Sequence, residues 1–206
     1  VGFTGALNAG DLTAGDIKYQ DTNGDGQITD ADKRRLGKSG KPRGQFGINL
    51  NMSYKGFYLS ALFQGSTTFN MYVAGSLGMQ TGQTYGMPVA YDYQTDFWTP
   101  DNRDAQYPRL MANTALNQNN NYASSDFWLI NGAYLRMKDF QFGYDFKYSL
   151  LKNVSWLTRC KMGISGQNIF TISQATKYGM DPEPSDTNYY GYPVERTIAL
   201  TLNLGF

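Results

Sequence analysis

The segment 21–32 carries the residue types and spacing with the clearest chemical meaning in this chain. Its sequence, DTNGDGQITDAD, follows the calcium-binding loop of the EF-hand, with oxygen donors at alternate positions and a glycine at the sharp turn. Hard cations prefer such carboxylate, amide and carbonyl oxygens. We predict a structural Ca2+ site whose ligands are Asp21, Asn23, Asp25, the backbone carbonyl of Gln27, and Asp32.

Two features of this acidic loop leave an alternative open. Asp32 stands at the twelfth position, where the longer Glu is usual, and strong flanking helices are missing. The alternative is an Asn-Gly-Asp-Gly turn that is held together by Asx hydrogen bonds without a cation. Both interpretations give the loop a structural role.

The composition argues most strongly against catalysis. The 206-residue chain contains no histidine, which excludes Ser-His-Asp and Cys-His catalysis and His-based metal sites within this chain. Its one cysteine, Cys160, cannot form an internal disulfide, and we expect it to pack in a strand. We find no pair of carboxylates placed for acid–base work, so we predict that the chain is not an enzyme.

The charge balance argues against a nucleic-acid partner. Lys and Arg together number 18 and Asp and Glu 17, which gives a net charge of +1. The 16 Tyr, 12 Phe and 23 Gly are typical of β-rich outer-membrane or extracellular proteins, and also of soluble all-β domains. Val1 is not an initiator Met, so we expect a processed chain or a part of a longer one.

The segment 197–206 predicts a membrane-spanning strand. Its residues alternate between apolar and small, uncharged polar types, as in a strand with one face toward lipid and one toward a lumen. Ten residues are about the length that a tilted strand needs to cross a bilayer. The alternative is an amphipathic strand of a soluble β-sandwich. The predicted apolar face consists of Ile198, Leu200, Leu202, Leu204 and Phe206.

Four further strands are predicted from the same alternation. A two-residue link, Lys55-Gly56, joins the first two as a hairpin. The apolar parity of the third slips, which predicts a β-bulge near Lys138-Asp139. The loop after the second strand contains a weak extra candidate near 69–73. The predicted ranges are 46–54, 57–64, 127–146 and 157–172.

The spacing of the strands predicts a transmembrane barrel that extends beyond this chain. Long loops at 66–126 and 173–195 alternate with short links, which is the layout of outer-membrane barrels. Five antiparallel strands cannot close a barrel, and open edges are not tolerated in lipid. We therefore predict an extracellular loop region at 1–45 and, at 46–206, the C-terminal strands of a larger barrel, with the C-terminus on the periplasmic side.

Charged and aromatic residues outside the acidic loop have two possible roles. Arg136 and Lys138 alternate with apolar residues, so we expect them to face the lumen and to pair with carboxylates of a plug domain, or else to attract anionic ligands. Aromatic residues of the long loops are expected to pack the loops or to form a membrane girdle, with substrate stacking as the alternative. They are Tyr85, Tyr91, Tyr93, Phe97, Trp98 and Tyr107, and in the last loop Tyr189, Tyr190 and Tyr192.

The chain resembles the C-terminal end of a SusC/RagA-type TonB-dependent transporter of Bacteroidetes. The resemblance covers nearly the whole chain, and its short motifs occur in the order of that family. In chain order they are GDIKY at 15–19 before the acidic loop, GINLNMSYKGF at 47–57, FQG at 63–65, WTP at 98–100, YPRL at 107–110, YLRMKDFQFGY at 134–144, SGQNIF at 165–170, YGMDPE at 178–183, YP at 192–193, and 196–206.

The resemblance implies an all-β fold, a plugged barrel of about 22 antiparallel strands with long extracellular loops. It also implies import of glycans or peptides across the bacterial outer membrane, energised through TonB, with a SusD-like surface lipoprotein as a lid. TonB would act through an N-terminal part that this sequence lacks. The terminal strand, 197–206, would be read by the barrel-assembly machinery. A structural SusC-like subunit without transport and a secreted, calcium-stabilised, carbohydrate-binding β-sandwich remain the alternatives.

Overall fold

Antiparallel strands form the fold of this protein. A computed structural model describes residues 12–37, 39–73, 95–110, 120–183 and 194–206. Between these strands lie short 3-10 helices, and within the described ranges none of the helices has the length and hydropathy needed to span a bilayer. The strands are β1 Gln45–Tyr54, β2 Phe57–Ser66, β3 Asn70–Tyr72, β4 Leu129–Asn131, β5 Tyr134–Asp145, β6 Arg159–Gln167, β7 Thr171–Ser173 and β8 Thr197–Gly205.

The main sheet has the order β1-β2-β5-β6-β8, and its neighbours pair antiparallel. The hairpin between β1 and β2 is the predicted two-residue turn, with Lys55 at φ 47° and Gly56 at φ 90°. Positive φ at both positions fits a type I′ turn, whose twist matches that of the flanking strands. Tyr54 therefore lies opposite Phe57, and the register of the first pair is set.

The pairing register gives the main sheet one apolar face and one polar face. Most apolar side chains of each strand lie opposite apolar side chains or glycine on the next, for example Leu59 with Phe142 and Ile164 with Leu200. Many of these side chains are exposed, including Ile48 at 56% and Leu200 at 86%. The opposite face carries amide and hydroxyl side chains. They include Asn49, Asn51, Ser53, Ser60, Gln64, Gln141, Ser165, Gln167, Thr201 and Asn203.

The predicted β-bulge is confirmed on β5. Leu62 pairs with Asp139 and Phe63 pairs with Met137, so Lys138 is the extra residue between them. Without this insertion, the side chains of β5 on one side of the bulge would point to the wrong face of the sheet. The predicted extra strand near 69–73 is also confirmed as β3, which pairs with β4 in a separate two-stranded sheet.

Two predicted strands were too long. The range 127–146 is divided into β4 and β5, because Leu129–Asn131 pairs with β3 while the main sheet takes Tyr134–Asp145. The range 157–172 is divided into β6 and β7 by Asn168, whose φ of 51° lies in the left-handed region. Both β6 and β7 pair with β5, so the division bends the strand without removing it from the sheet.

A pair of glycines makes room for an aromatic ring on the polar face. Gly143 and Gly163 lie directly opposite each other on β5 and β6. A Cβ atom on Gly143 would lie 2.4 Å from the carbonyl oxygen of Met162 and 2.5 Å from the hydroxyl of Tyr58. The ring of Tyr58 therefore covers the backbone that the glycines leave bare, and Lys161 Nζ lies 5.4 Å from the centre of that ring.

The chain divides into two compact units. Unit 1 consists of residues 1–38 and 72–130 and contains the acidic loop. Unit 2 consists of residues 39–71 and 131–206 and contains the main sheet.

The glycine pair predicts a site that does not tolerate a methyl group. Gly143→Ala should destabilise the full-length protein by about 1–3 kcal/mol, because the added atom overlaps backbone and ring atoms that cannot both move away. Gly47→Ala is the matched control, since a Cβ there meets nothing nearer than 3.8 Å. Urea unfolding in detergent measures the stability of both variants. Equal unfolding midpoints would contradict the close packing at Gly143.

Candidate functional site

A cluster of charged side chains lies at the start of β5 on the polar face of unit 2. The guanidinium of Arg136 is 3% exposed and donates to Asp181 at 2.6 Å and to Glu183 at 2.5 Å. Its Nε donates to the hydroxyl of Thr171 on β7 at 2.8 Å. Lys138 adds a second cation to Glu183 at 2.8 Å. Charge-assisted hydrogen bonds of this type are stronger than neutral ones, and the planar guanidinium holds both carboxylates at once.

The cluster fixes the segment 178–183 on the main sheet. A 3-10 helix, Ala175–Tyr178, ends at Gly179 in the left-handed conformation, and the chain then turns back toward β5. Asp181 also accepts a hydrogen bond from the backbone N–H of Glu183 at 2.9 Å, and Gln64 on β2 lies 3.5 Å from Glu183. The predicted pairing of Arg136 and Lys138 is present, but the described partners belong to this chain's own last long loop and not to a plug domain.

A second charged network holds unit 1 together. Arg109 donates to both carboxylate oxygens of Asp16, at 2.8 and 3.1 Å, and the Asp16 side chain is only 1% exposed. Asn121 Nδ2 donates to the same carboxylate at 2.9 Å. These contacts join segments that are about a hundred residues apart in the chain, so they set the fold of unit 1.

Hydrogen bonds from buried amides extend this network. Asn120 is fully buried and donates to the carbonyl of Ile17 at 2.7 Å, while Asn121 accepts from the N–H of Ile17 at 2.9 Å. Trp128 Nε1 donates to the carbonyl of Asn121 at 2.9 Å. The hydroxyl of Tyr19 donates to the carbonyl of Asn120 at 2.8 Å, and burial raises the pKa of Tyr19 to about 12. Tyr19 is therefore a neutral donor at physiological pH.

The Asp16 carboxyl is held in its charged form. Burial raises the pKa of this carboxyl, but hydrogen bonds from Arg109, the Thr13 N–H and Asn121, with the Arg109 charge, outweigh that effect and leave the pKa below 3.8. The pair therefore stays ionised at neutral pH.

The described aromatic residues of the first long loop pack within unit 1. Phe97 forms a β-bridge with Tyr107, whose ring lies 6.4 Å from that of Trp128, centre to centre. The ring of Trp98 lies against Gly15, where a Cβ would come within 2.5 Å. The expectation that these residues pack the loop is confirmed for Trp98 and Tyr107, while for the ring of Phe97 it stays a prediction. The remaining predicted aromatics, Tyr85, Tyr91, Tyr93, Tyr189, Tyr190 and Tyr192, lie outside the described residues.

Hydrogen bonds between its own residues close the acidic loop. Asp21 accepts from the N–H groups of Gly24 and Gly26, and Asp25 accepts from the N–H of Gln27 at 2.8 Å. Asn23 accepts from the N–H of Asp25 at 2.9 Å. Within the described ranges, no group of three or more His, Cys, Asp or Glu side chains is placed to hold a metal ion. The calcium site thus stays a prediction.

Asp32 organises the loop from its far end. Its carboxylate accepts from the backbone N–H groups of Thr22 and Thr29, each at 2.8 Å, and of Asn23 at 3.3 Å. The hydrogen bonds from the N–H groups of Thr29 and Thr22 hold the pKa of Asp32 below its ordinary value. Asp32 is buried, whereas the side chains of Asn23 and Asp25 are exposed. Of the predicted side-chain ligands, Asn23 and Asp25 are therefore exposed, whereas Asp32 is turned inward to the backbone of the loop.

Comparison with known proteins identifies relatives over nearly the whole chain. TonB-dependent receptor P3 of Formosa agariphila is 28% identical across 98% of this chain and 20% of its own length. TonB-dependent receptor P26 of the same organism is 28% identical across 93% of this chain and 20% of its own length. The chain is thus similar to these two TonB-dependent receptors over nearly all of its length. It spans about a fifth of the length of these relatives, and no family model matches it.

Solved structures of a peptide importer share the fold of this chain. The RagAB peptide importer in its closed-closed state matches with a TM-score of 0.63 and 21% identity over 87% of this chain and 19% of that chain. Its open-open state matches with a TM-score of 0.60 and 20% identity over the same shares. The aligned part of this chain thus has the same all-β, antiparallel fold as these structures. Relatives named as receptors and importers fit the prediction of a non-enzymatic protein.

Local sequence does not reveal which carboxylates pair with Arg109 and Arg136. The partners are Asp16, Asp181 and Glu183, which stand within family-like motifs but far from these arginines in the chain. The one available signal was their place beside glycine or proline in GDIKY and YGMDPE, where a turn presents a carboxylate.

Removal of the Arg136 guanidinium should release the segment 178–183 from β5. Arg136→Met in the full-length protein leaves two half-buried carboxylates without their main partner. We expect the free energy of local opening of the segment 178–183 to fall by about 3 kcal/mol. Its backbone amides should then exchange roughly 100-fold faster. Lys161→Met is the matched control, because Lys161 lies 3.9 Å from Asp145 and is 41% exposed. Equal exchange in the two variants would exclude the proposed anchoring.

The Asp16–Arg109 pair predicts an acid-sensitive unit 1. The pKa of Asp16 lies below 3.8 in the folded protein and at about this value in the unfolded chain. The charged pair therefore stabilises the fold fully above pH 3.8, and this stabilisation is lost as the pH falls through the folded pKa. Amide protection factors of residues 12–19 should therefore drop in this acid range. Asp16→Asn should have low protection at neutral pH and little further loss in acid. An unchanged acid step in this variant would assign the pH dependence to another group.

Proposed function

We propose that this chain is the C-terminal barrel portion of an outer-membrane TonB-dependent importer of glycans or peptides. Similarity to TonB-dependent receptors over 98% of the chain supports this assignment. The observation that carries it is the main sheet, whose apolar face remains exposed across five strands while amides and hydroxyls line the other face. A barrel wall between lipid and a polar lumen needs that division.

The aromatic side chains near the short turns support a membrane orientation. Trp156 and Phe206 stack with ring centres 5.8 Å apart, and Tyr144 lies 4.7 Å from Phe57. Tyr54 and Trp156 are exposed, as expected for an interfacial girdle. We propose that this end, with the C-terminus, lies on the periplasmic side.

The proposed partners follow from the family resemblance. A SusD-like surface lipoprotein would cover the extracellular end, as the two-component name of the RagAB importer suggests. TonB would supply energy, and the barrel-assembly machinery would recognise the apolar residues of the terminal strand. Arg136 and its partners would hold the last long loop at the wall, which keeps the extracellular end in one shape.

Two alternatives predict different behaviour. A structural subunit without transport would keep the same sheet but would not support uptake. A secreted β-sandwich would bury the apolar face against a second sheet, whereas Leu200 is 86% exposed and Leu202 63%. The exposed face therefore favours the barrel.

Loss of uptake tests the proposed function. The gene for the full-length protein is deleted in the native bacterium, and growth is measured with peptides or with individual polysaccharides as the carbon source. We expect slow growth on one class only, restored by the wild-type gene. Normal growth on every source, with the wild-type protein present in the outer membrane, would favour the structural subunit. Release of the protein by salt without detergent would favour the sandwich.

Calcium binding to the acidic loop is a separate proposal. The five predicted ligands, which supply hard oxygen donors, are Asp21, Asn23, Asp25, the carbonyl of Gln27 and Asp32. Asp32 also accepts the backbone hydrogen bonds that hold the loop closed. Calcium should protect the segment 15–40 of the wild-type protein from protease, and Asp25→Ala should abolish that protection.

Asp101→Asn is the matched control, since it removes an exposed carboxylate of unit 1 outside the loop. Equal digestion of wild type and Asp25→Ala with and without chelator would support the turn that needs no cation.

A further inference from the structure

Unit 1 contains an open cleft beside the acidic loop. Its volume is about 620 Å³, within the size range of small-molecule sites. One wall comes from residues 19–36 and the other from Tyr72 and residues 124–129. Neither the import proposal nor the calcium proposal assigns it a role.

The floor and rim of the cleft combine aliphatic and aromatic surface. Ile28, Leu36 and Leu129 line it, and Leu36 is 52% exposed. Tyr19 is fixed by its hydrogen bond to Asn120, and the hydroxyl of Tyr72 lies 3.3 Å from Ser124 Oγ. A ligand here would therefore bury apolar groups against a wall whose aromatic parts are already ordered.

Of the four charged side chains that line the cleft, two are already engaged. Lys33 pairs with Asp30 at 2.7 Å. Asp32 accepts hydrogen bonds from backbone N–H groups, as described above. Neither side chain presents a free charge to a ligand.

Among the described residues, the other two charged side chains have no partner of opposite charge. The Asp126 carboxylate accepts no hydrogen bond from those residues, whereas its backbone carbonyl accepts one from the N–H of Leu129. Arg34 donates to the carbonyls of Ala31 and Thr22, at 3.1 and 3.0 Å, and no carboxylate contacts it in the described part of the chain. The adjacent Ser125 Oγ is buried without a hydrogen-bond partner among the described residues. The cleft thus offers an anion, a cation and an unsatisfied hydroxyl.

We propose that this cleft binds a short peptide with free termini. The amino terminus would pair with Asp126, the carboxylate with Arg34, and apolar side chains would lie on Ile28, Leu36 and Leu129. Ser125 Oγ would bond to the peptide backbone. A neutral glycan would leave both charges without a partner and would place hydroxyls on aliphatic surface, which costs free energy.

This inference rests on the proposed import function. A peptide site on the loops would favour peptides over glycans as the imported cargo. Binding is nevertheless measured directly, without transport. A failure of binding therefore overturns the cleft proposal alone, whereas the growth experiment judges import.

The test uses the full-length protein in detergent and a random mixture of tetrapeptides. Retained peptides are measured by mass spectrometry after rapid gel filtration. The same mixture is presented with N-acetylated or C-amidated ends, and maltotetraose is the glycan probe. The variants are Asp126→Asn and Arg34→Gln. Asp101→Asn and Arg103→Gln are matched controls, because they remove exposed charges elsewhere in unit 1.

We expect wild type and both controls to retain peptides with free termini, enriched in apolar residues. Asp126→Asn and Arg34→Gln should each lower retention about tenfold, as expected for loss of one charge-assisted hydrogen bond. N-acetylation should lower wild-type retention about as much and have no further effect on Asp126→Asn. C-amidation should act in the same way with Arg34→Gln.

Three results would overturn the proposal. They are no peptide retention by the wild type, retention that is unchanged in Asp126→Asn and Arg34→Gln, and a preference for maltotetraose. Arg34 also holds the acidic loop, so Arg34→Gln could fail to fold. In that case, retention of N-acetylated and free peptides by the Asp126→Asn variant decides the question.

Discussion

The structure depends on a register that keeps one face of the main sheet apolar and the other polar. Side chains alternate along each strand, so a slip of one residue in any pair would exchange the faces of every strand beyond it. The two-residue turn at Lys55-Gly56 sets the first pair, and the bulge at Lys138 corrects the parity of β5. In the hydrocarbon core of a bilayer, every backbone polar group must be hydrogen-bonded and a charged side chain costs free energy. The proposed insertion of this sheet into a membrane therefore requires this register.

The same register also places the charged cluster. Arg136 and Lys138 are two residues apart, so both side chains lie on the polar side of β5 and reach Glu183. The bulge at Lys138 then returns Phe140 and Phe142 to the apolar face. The described part of the last long loop is thereby tied to the polar face of the main sheet. In unit 1, the pair of Asp16 and Arg109 has a comparable role, since it joins segments far apart in the chain and its carboxylate is buried. Ion pairs therefore hold the loops, whereas backbone pairing and the apolar face define the main sheet.

Local pattern was enough to predict most of the sheet but little of the charged networks. Alternation located the strands, and the shift from Leu135 and Met137 to Phe140 and Phe142 predicted the bulge. It could not divide 127–146 into two strands, because the division depends on pairing with Asn70–Tyr72. Nor could it find the partners of Arg136, since Asp181 and Glu183 lie more than forty residues away. The acidic loop was recognised from its spacing, but its closure by Asp32 appears only in three dimensions.

Nitroxide labels at two adjacent positions of β8 test the central claim most directly. Leu200→Cys and Thr201→Cys are made in the full-length protein after Cys160→Ser and replacement of any other cysteine, and the proteins are reconstituted in lipid vesicles. We expect the label at 200 to collide mainly with oxygen, which concentrates in lipid. We also expect the label at 201 to be much less accessible to oxygen. Equal oxygen accessibility at both positions, or collision with a water-soluble nickel complex at 200, would contradict a lipid-facing apolar side.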